Sequence, residues 1–451
     1  MLLITPLLPG FVVMRFSSAF LQPFAVNASA LTIANSSTFL GLMFMKCFSR
    51  ASAVGAVIGS HFEARNWFRG SSTDARIHPR KNFQSYPSTF DAISLKAERN
   101  AACAACSSIG RIRVVPTRTE AAAIRSFRET IMSRMMAYRI HEFGGPEKIS
   151  LETVDVTDPT ENEVLVRVQT ASVNPVDLKT LAGKYPLIGE DKLPYTLGRD
   201  FAGVVERVGG GVTRWKPADP VYGFVGQGQG AYAQYVLVDE HALARPPKDA
   251  DPFTAGAVPL AALTAWQGLF EHGALESGER VLIHGGAGGV GHFAVQFARY
   301  KGAEVFVTAS GDGLDFVREL GADHVIDYSS QRFEDIAQDV DLVFDLVGGE
   351  AQTRSWAVVA AGGALISTLT EPSQVEASRR GAHAARYTAQ PNGAQLAAIA
   401  SLIQERKVVV KVVETYPFDA TPQALARQKE GHVRGKLVVD VGGANAVRTA
   451  V

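Results

Sequence analysis

Cysteine is scarce, and where it is missing matters. All three cysteines (Cys47, Cys103 and Cys106) precede residue 136, so the last 316 residues contain none. That stretch forms no disulfide and builds no thiolate metal site, which fits a reducing compartment. Its eight histidines show no H-x-H or H-E-x-x-H spacing, so a histidine-based metal site is not expected either. No apolar run reaches 18 residues, and a membrane span is not expected. A Ser-His-Asp arrangement with a nucleophile elbow is missing too. Excess charge is lacking overall, with 45 Lys and Arg against 45 Asp and Glu. That balance hides a split. Residues 1–135 hold 16 basic and 6 acidic residues, whereas residues 136–451 hold 29 and 39. An acidic body has no basic stripe for nucleic acid.

The first 135 residues are rich in Ser, Ala and Arg and poor in acid. Their first basic residue, Arg15, follows the most apolar stretch, the reverse of a secretory signal. We expect 1–135 to be a disordered extension or translated upstream sequence, with the start at Met136. An organelle-targeting arm and a small folded domain are the alternatives. The C-A-A-C at Cys103–Cys106 has no second pair or nearby histidine, and chance explains it.

From Met136 the pattern becomes globular. Residues 164–169 (V-L-V-R-V-Q) alternate with period 2, and 201–208 and 231–238 are rich in β-formers. Residues 136–260 are therefore expected to form most of a β domain. The period then changes. A short apolar strand at 281–284 precedes a glycine run. Val290, Phe293, Ala294, Phe297 and Ala298 then mark one helical face, closed by Gly302. Strands at 304–309, 324–328, 341–347 and 364–368 alternate with helical stretches such as 314–320, which implies a parallel sheet over 261–391. Helices at 394–405 and 421–430 and strands at 408–413 and 436–441 suggest that 392–445 return to complete the first domain. The expected fold class is α/β: a doubly wound Rossmann sheet inserted in a β domain.

The run H-G-G-A-G-G-V-G (284–291) places G-x-G-x-x-G at Gly286, Gly288 and Gly291, after a strand and before a helix. In that context the glycines serve a tight turn, close approach to a pyrophosphate, and helix–strand packing. The helix N-terminus favours phosphate. Ala287, Gly289 and Val290 complete the loop expected to hold a dinucleotide. The following strand ends in Ser310 rather than a carboxylate. Serine does not repel a 2′-phosphate, so NADPH is favoured over NADH.

Six stretches then combine: S-V-N-P-V-D (172–177), P-Y-T-L-G-R-D-F-A-G-V-V (194–205), L-T-A-W (263–266), G-G-A-G-G-V-G (285–291), L-G-A-D-H-V-I-D-Y (320–328) and G-K-L-V (435–438). Together they make residues 136–442 resemble the zinc-independent medium-chain dehydrogenases/reductases of the NADPH:quinone oxidoreductase-like group. The resemblance implies a GroES-like β domain built from both chain ends, a central Rossmann domain, and a cleft between them. It places Thr264 near the nicotinamide, Tyr328 near the adenosine 2′-phosphate, and Val347 and Gly348 along the nicotinamide pocket. Zinc-dependent relatives have a Cys at the position of Asn174 and a His-Glu pair at Arg199-Asp200, so no metal is expected. Arg199 and Asp200 are expected to pair in the vacated position. A homodimer through an edge strand is also implied.

Without a Lewis acid, the easier chemistry is hydride transfer to an acceptor that is already electrophilic, such as a quinone or an α,β-unsaturated carbonyl. Charge then develops on the acceptor oxygen and needs a donor. The candidates are Lys179, Tyr185 and Asn174. Lys179 matches enone-reducing relatives, and Asn174 also suits a loop-fixing role before Pro175. His284 is expected to pack, and Lys436 to be a plain strand-start lysine, with a reach into the cofactor cleft as the alternative. The alternatives are a non-catalytic NADPH-binding sensor or scaffold and an enoyl-thioester reductase. The expected location is the cytoplasm, or an organelle if 1–135 is a targeting arm.

Overall fold

The computed structural model describes residues 134–442 except Gln229, together with the backbone of three short N-terminal strands. Those strands, β1 (Leu2–Leu8), β2 (Phe11–Phe16) and β3 (Leu31–Ala34), form one antiparallel sheet in sequence order. The expectation of a disordered or upstream 1–135 otherwise falls outside the described residues, as do Cys103 and Cys106. The body begins slightly ahead of Met136. Strand β4 (Arg134–Ile140) already pairs Arg134 with Asp155 and Met135 with Val154 of β5 (Ile149–Asp155).

The β part that follows comprises β6 (Glu163–Val173), β7 (Tyr195–Thr196), β8 (Asp200–Val208), β9 (Pro220–Phe224), β10 (Tyr235–Asp239) and β11 (Leu243–Ala244). Two strands from the far end of the chain, β18 (Val412–Pro417) and β19 (Lys436–Asp440), join it. The order is β11-β9-β8-β6-β19-β18, with β10 also on β6. Alternate residues turn inward, as period 2 requires. Val164, Val166 and Val168 of β6 meet Phe201, Val205, Leu437 and Val439 in one core. Helix α1 (Pro175–Leu181) follows β6 directly. Residues 231–234 do not extend β10, because Tyr232 exchanges backbone bonds with Leu197 and Tyr138 instead.

After the short helix α2 (Pro252–Gly256) and helix α3 (Pro259–Trp266) comes a wholly parallel sheet. Its strands are β12 (Arg280–His284), β13 (Glu304–Ala309), β14 (His324–Asp327), β15 (Val340–Asp345), β16 (Val359–Ser367) and β17 (His383–Arg386). They run in the order β14-β13-β12-β15-β16-β17, the doubly wound arrangement. Its helices include α4 (Gly291–Lys301), α5 (Gly313–Glu319), α6 (Gly349–Ser355), α7 (Gln374–Arg380) and α8 (Gly393–Gln404), with α9 (Thr421–Glu430) leading into β19. Adjacent residues bury on opposite faces. Val281, Ile283, Val305 and Val307 pack with Phe297 of α4 and Leu396 of α8. Leu282, Phe306 and Val343 pack with Phe333, Trp356 and Ala377. Both faces are thus covered, as a parallel sheet demands. On these sheets we propose the division 136–260, 261–391 and 392–445.

Two expected strands are displaced. The apolar run at 408–413 is not one strand. Val408 is buried, and both backbone polar groups of Val409 bond the Gln296 amide (2.7 and 3.0 Å), so pairing starts only at Val412. The strand expected at 341–347 stops at Asp345, whose carboxylate accepts the N–H groups of Val347 and Gly348 (3.0 and 2.8 Å) and turns the chain.

Candidate active site

The C-terminal tips of the parallel strands face α1 and the start of β19 across a cleft of about 790 Å³. One wall is the loop from β12 to α4. Gly285 there has φ +76°, so it, not Gly286, makes the tight turn. Gly286 is required by packing: a Cβ on it would lie 2.1 Å from Cγ1 of Val307. A Cβ on Gly291 would lie 2.3 Å from the carbonyl oxygen of Gly285, so this glycine seats α4 on β12. Gly288 differs, because a Cβ there would meet nothing nearer than 3.4 Å. Its bareness serves the cleft rather than the fold. Ala287, Gly289 and Val290 line the same wall. Beneath the loop His292 is fully buried. Its Nδ1 bonds the Gly288 carbonyl (3.2 Å), its Nε2 has no partner, and burial pushes its pKa down to about 4.

At one end of the cleft the Ser310 hydroxyl donates to Tyr328 Oη at 2.7 Å, joining the tips of β13 and β14. Arg434 reaches this corner from the loop before β19 and pairs with Asp312. No local signal marks Arg434 in the sequence, because 122 residues separate the two partners. Thr264 lines the middle of the cleft, its hydroxyl bonded to the Leu260 carbonyl at 2.7 Å. Val347 and Gly348 are not among the lining residues. Val347 is exposed beside Gly285, and Leu346, Thr368 and Leu369 form that part of the wall instead.

Across the cleft stand Asn174, Lys179 and Tyr185. Asn174 caps α1, its N–H donating to Asp177 Oδ2 at 2.9 Å. Its side chain also sits in a buried network. The amide nitrogen donates to Asp200 (2.9 Å), and the amide oxygen accepts from the ammonium of Lys436. Asp200 also accepts from the Ser172 hydroxyl (2.7 Å) and the Leu260 N–H (3.0 Å). Burial raises the Asp200 carboxyl and lowers the Lys436 ammonium from their ordinary values, and the attraction between the two opposes both shifts. The expected Arg199–Asp200 pair is therefore replaced by a relay from Asp200 through Asn174 to Lys436. Arg199 points elsewhere. It donates to the Gly226 carbonyl (2.7 Å) and the Thr180 hydroxyl (3.0 Å), and it lies 4.8 Å from the ring centroid of Tyr185. Lys436 is thus a buried cleft residue, which corrects the expectation of a plain strand-start lysine. His284 packs as expected, between Thr308 and Ser355.

Lys179 is half-buried. Burial first, and Arg386 second, hold its ammonium below the ordinary lysine range. Asp177 is wholly buried with one oxygen unpartnered, and burial pushes its pKa up to about 6 against the nearby Arg199 charge.

The fold and cleft define the class: an α/β protein in which a Rossmann-type sheet and a GroES-like sheet share one cleft. The sequence matches the family described as alcohol dehydrogenase GroES-like domain over residues 160–248, and that described as zinc-binding dehydrogenase over 320–439. It is 33% identical over 386 residues to the 2-methylene-furan-3-one reductase of Solanum lycopersicum, covering 80% of this chain and 95% of that one. It is 34% identical over 325 residues to the chloroplastic NADPH-dependent alkenal/one oxidoreductase of Arabidopsis thaliana, covering 69% and 80%. The structure of the quinone oxidoreductase from Coxiella burnetii superposes with a TM-score of 0.65 at 32% identity, covering 68% of this chain and 99% of that one. The chain belongs to the medium-chain dehydrogenase/reductase family, in its quinone and alkenal oxidoreductase branch.

The name of the second matched family raises the question of zinc. The residues here do not suit it. The Asn174 amide and the Leu260 N–H already engage the oxygens of Asp200, and the Lys436 ammonium lies just beyond that amide. A dication beside buried Lys436 would be repelled, and no thiolate or imidazole replaces the missing ligands. Among the described residues no group of three or more His, Cys, Asp or Glu is placed to hold a metal.

Proposed function

We propose that this oxidoreductase is an NADPH-dependent reductase of quinones or α,β-unsaturated carbonyls that works without a metal. One observation carries the reading: a bare glycine loop and a half-buried lysine face each other across a single cleft. The glycine wall suits a dinucleotide. Gly288 leaves room for a pyrophosphate at the N-terminus of α4, Ser310, Tyr328 and Arg434 suit a 2′-phosphate, and Thr264 suits the nicotinamide end. NADPH, when bound, supplies the hydride.

The chain's own residues do the rest. Lys179 donates a hydrogen bond to the acceptor oxygen as negative charge grows there. Its lowered pKa also lets it release a proton more readily than a free lysine. Tyr185, held against Arg199, shapes the acceptor pocket. Asn174 and Lys436 hold the wall between acceptor and cofactor. Lysine at position 179 favours enones and alkenals over quinones.

The test is NADPH consumption by the full chain in chelator, with a naphthoquinone and an enone side by side. Turnover of the enone, lost in Lys179→Met, supports the reading. NADPH binding without turnover of either acceptor overturns it in favour of a sensor or scaffold. We further propose a homodimer, checked by sedimentation, and a cytoplasmic location. Among the described residues no helix is long and apolar enough to cross a membrane. A fluorescent fusion of residues 1–135 that enters an organelle overturns the cytoplasmic assignment.

A further inference from the structure

The cleft is lined by cations and by no acid. Lys179, Lys184, Arg199, Arg386, Arg434 and Lys436 all border it, and not one Asp or Glu does. That is unexpected in a body where acids outnumber bases by 39 to 29. Three of the six are accounted for. Arg434 pairs with Asp312, Arg199 is buried against Thr180 and Gly226, and Lys436 is buried against Asn174 and Val173. Lys179, Lys184 and Arg386 remain. Among the described residues none of these three has a carboxylate partner. The one side-chain bond of Arg386 runs from Nε to the Leu369 carbonyl (3.1 Å), which leaves its two terminal nitrogens available.

Lys179 and Arg386 approach each other from opposite walls of the cleft, with Lys184 bordering it on the Lys179 side. Lys179 lies on α1, and the Lys184 N–H bonds the Lys179 carbonyl at 2.8 Å, so both belong to one turn. Arg386 is the last residue of β17. The field of Arg386 helps to hold the Lys179 ammonium below its ordinary range, so the two are close enough to repel. Bringing like charges together in a cleft costs free energy unless an anion joins them.

The cofactor phosphates do not fit the role of that anion. The glycine loop follows β12, and the Ser310–Tyr328 corner follows β13 and β14. β17 is three strands beyond β12 and four beyond β13. At about 4.8 Å per strand that is roughly 14 and 19 Å, further than an arginine side chain reaches.

We propose that Lys179, Lys184 and Arg386 form an anion subsite at the acceptor end of the cleft, and that the preferred acceptor carries a carboxylate near its reducible bond. Arg386 presents its two terminal nitrogens to that carboxylate as a fork. Lys184 adds charge at the cleft mouth, and Lys179 lies between carboxylate and acceptor oxygen. The proposal rests on the reductase reading for the identity of the acceptor, but not for the anion.

The test compares 4-oxo-2-pentenoate with its methyl ester, which replaces the negative charge by a neutral ester of nearly the same size. With the full chain and NADPH, the acid is expected to exceed the ester in kcat/KM by about tenfold, the size of one charged hydrogen bond. That ratio falls towards one in Arg386→Gln, is largely kept in Arg386→Lys, and shrinks as salt rises from about 50 to about 500 mM. Because the ratio is taken within each variant, general damage to the enzyme cancels. Equal use of acid and ester by the wild type, or an unchanged ratio in Arg386→Gln, overturns the subsite. If neither compound is reduced, the naphthoquinone and enone assay above decides the reductase reading. Calorimetric binding of the saturated 4-oxopentanoate and its ester to the NADP⁺-loaded chain then decides the subsite. Tighter binding of the acid supports it, and equal binding overturns it.

Discussion

Individual buried groups give this protein a pH response that can be assigned. Burial holds His292 and His284 at about 4 in the fold, below the ordinary 6.5. The unfolded chain therefore binds protons that the fold refuses, and stability falls as pH drops from 6.5 towards 4. Asp177 acts in the opposite sense. Its folded value of about 6 lies above the ordinary 3.8, so its contribution is present at low pH and is lost as pH rises through about 6. Urea midpoints between pH 4 and 7 separate the two effects. His292→Asn flattens the acid loss, and Asp177→Asn makes stability climb more steeply with pH. Lys436 is a third case. Lys436→Met leaves Asp200 buried without a cation, and we expect a loss of roughly 3 kcal/mol in the same urea experiment. Arg434→Gln is expected to act on cofactor choice instead, narrowing the ratio of NADPH to NADH affinity in fluorescence titrations.

Elements divide the glycine motif into structural and functional members. Gly291→Ala forces a methyl against the Gly285 carbonyl and loosens α4 from β12. Overpacking of this kind costs about 1–3 kcal/mol, read as a lower melting temperature. Gly288→Ala has the space. It leaves the melting temperature nearly unchanged and weakens NADPH binding by at least about tenfold. The G-x-G-x-x-G pattern assigns the pyrophosphate approach to Gly288 and the packing to Gly291 by position, but it puts the tight turn at Gly286, and only the tertiary structure moves that turn to Gly285 and sets Gly286 against Val307. Other elements were fully legible. The strand at 304–309 and the helix at 421–430 lie where the sequence pattern puts them, because the strand is a short, continuous β-forming run, the helix has one buried face, and both have clean stops. The strand read at 408–413 failed because an apolar run looks alike whether it enters a sheet or, like Val408, fills a gap beside a helix.

At the scale of the whole molecule, one chain passes through both sheets, and β19 returns to lie between β6 and β18. Residues from both sheets line the cleft, so a ligand there ties them together. NADPH at a hundredfold excess over Kd is expected to add about 2.7 kcal/mol. Hydrogen exchange should then slow in β12 and in β19 alike; protection confined to β12 would show that the sheets open separately.

By itself the sequence determined the α/β class, the glycine loop and the candidate donor Lys179, because periodicity, turn residues and short motifs are local properties of the chain. Only the tertiary structure decided that Asp200 answers Lys436 rather than Arg199, that Arg434 pairs with Asp312 beside the Ser310 corner, and that Arg386 faces Lys179. Those pairings span more than 120 and up to more than 230 positions, and nothing in local propensity records which buried charge will lie beside which.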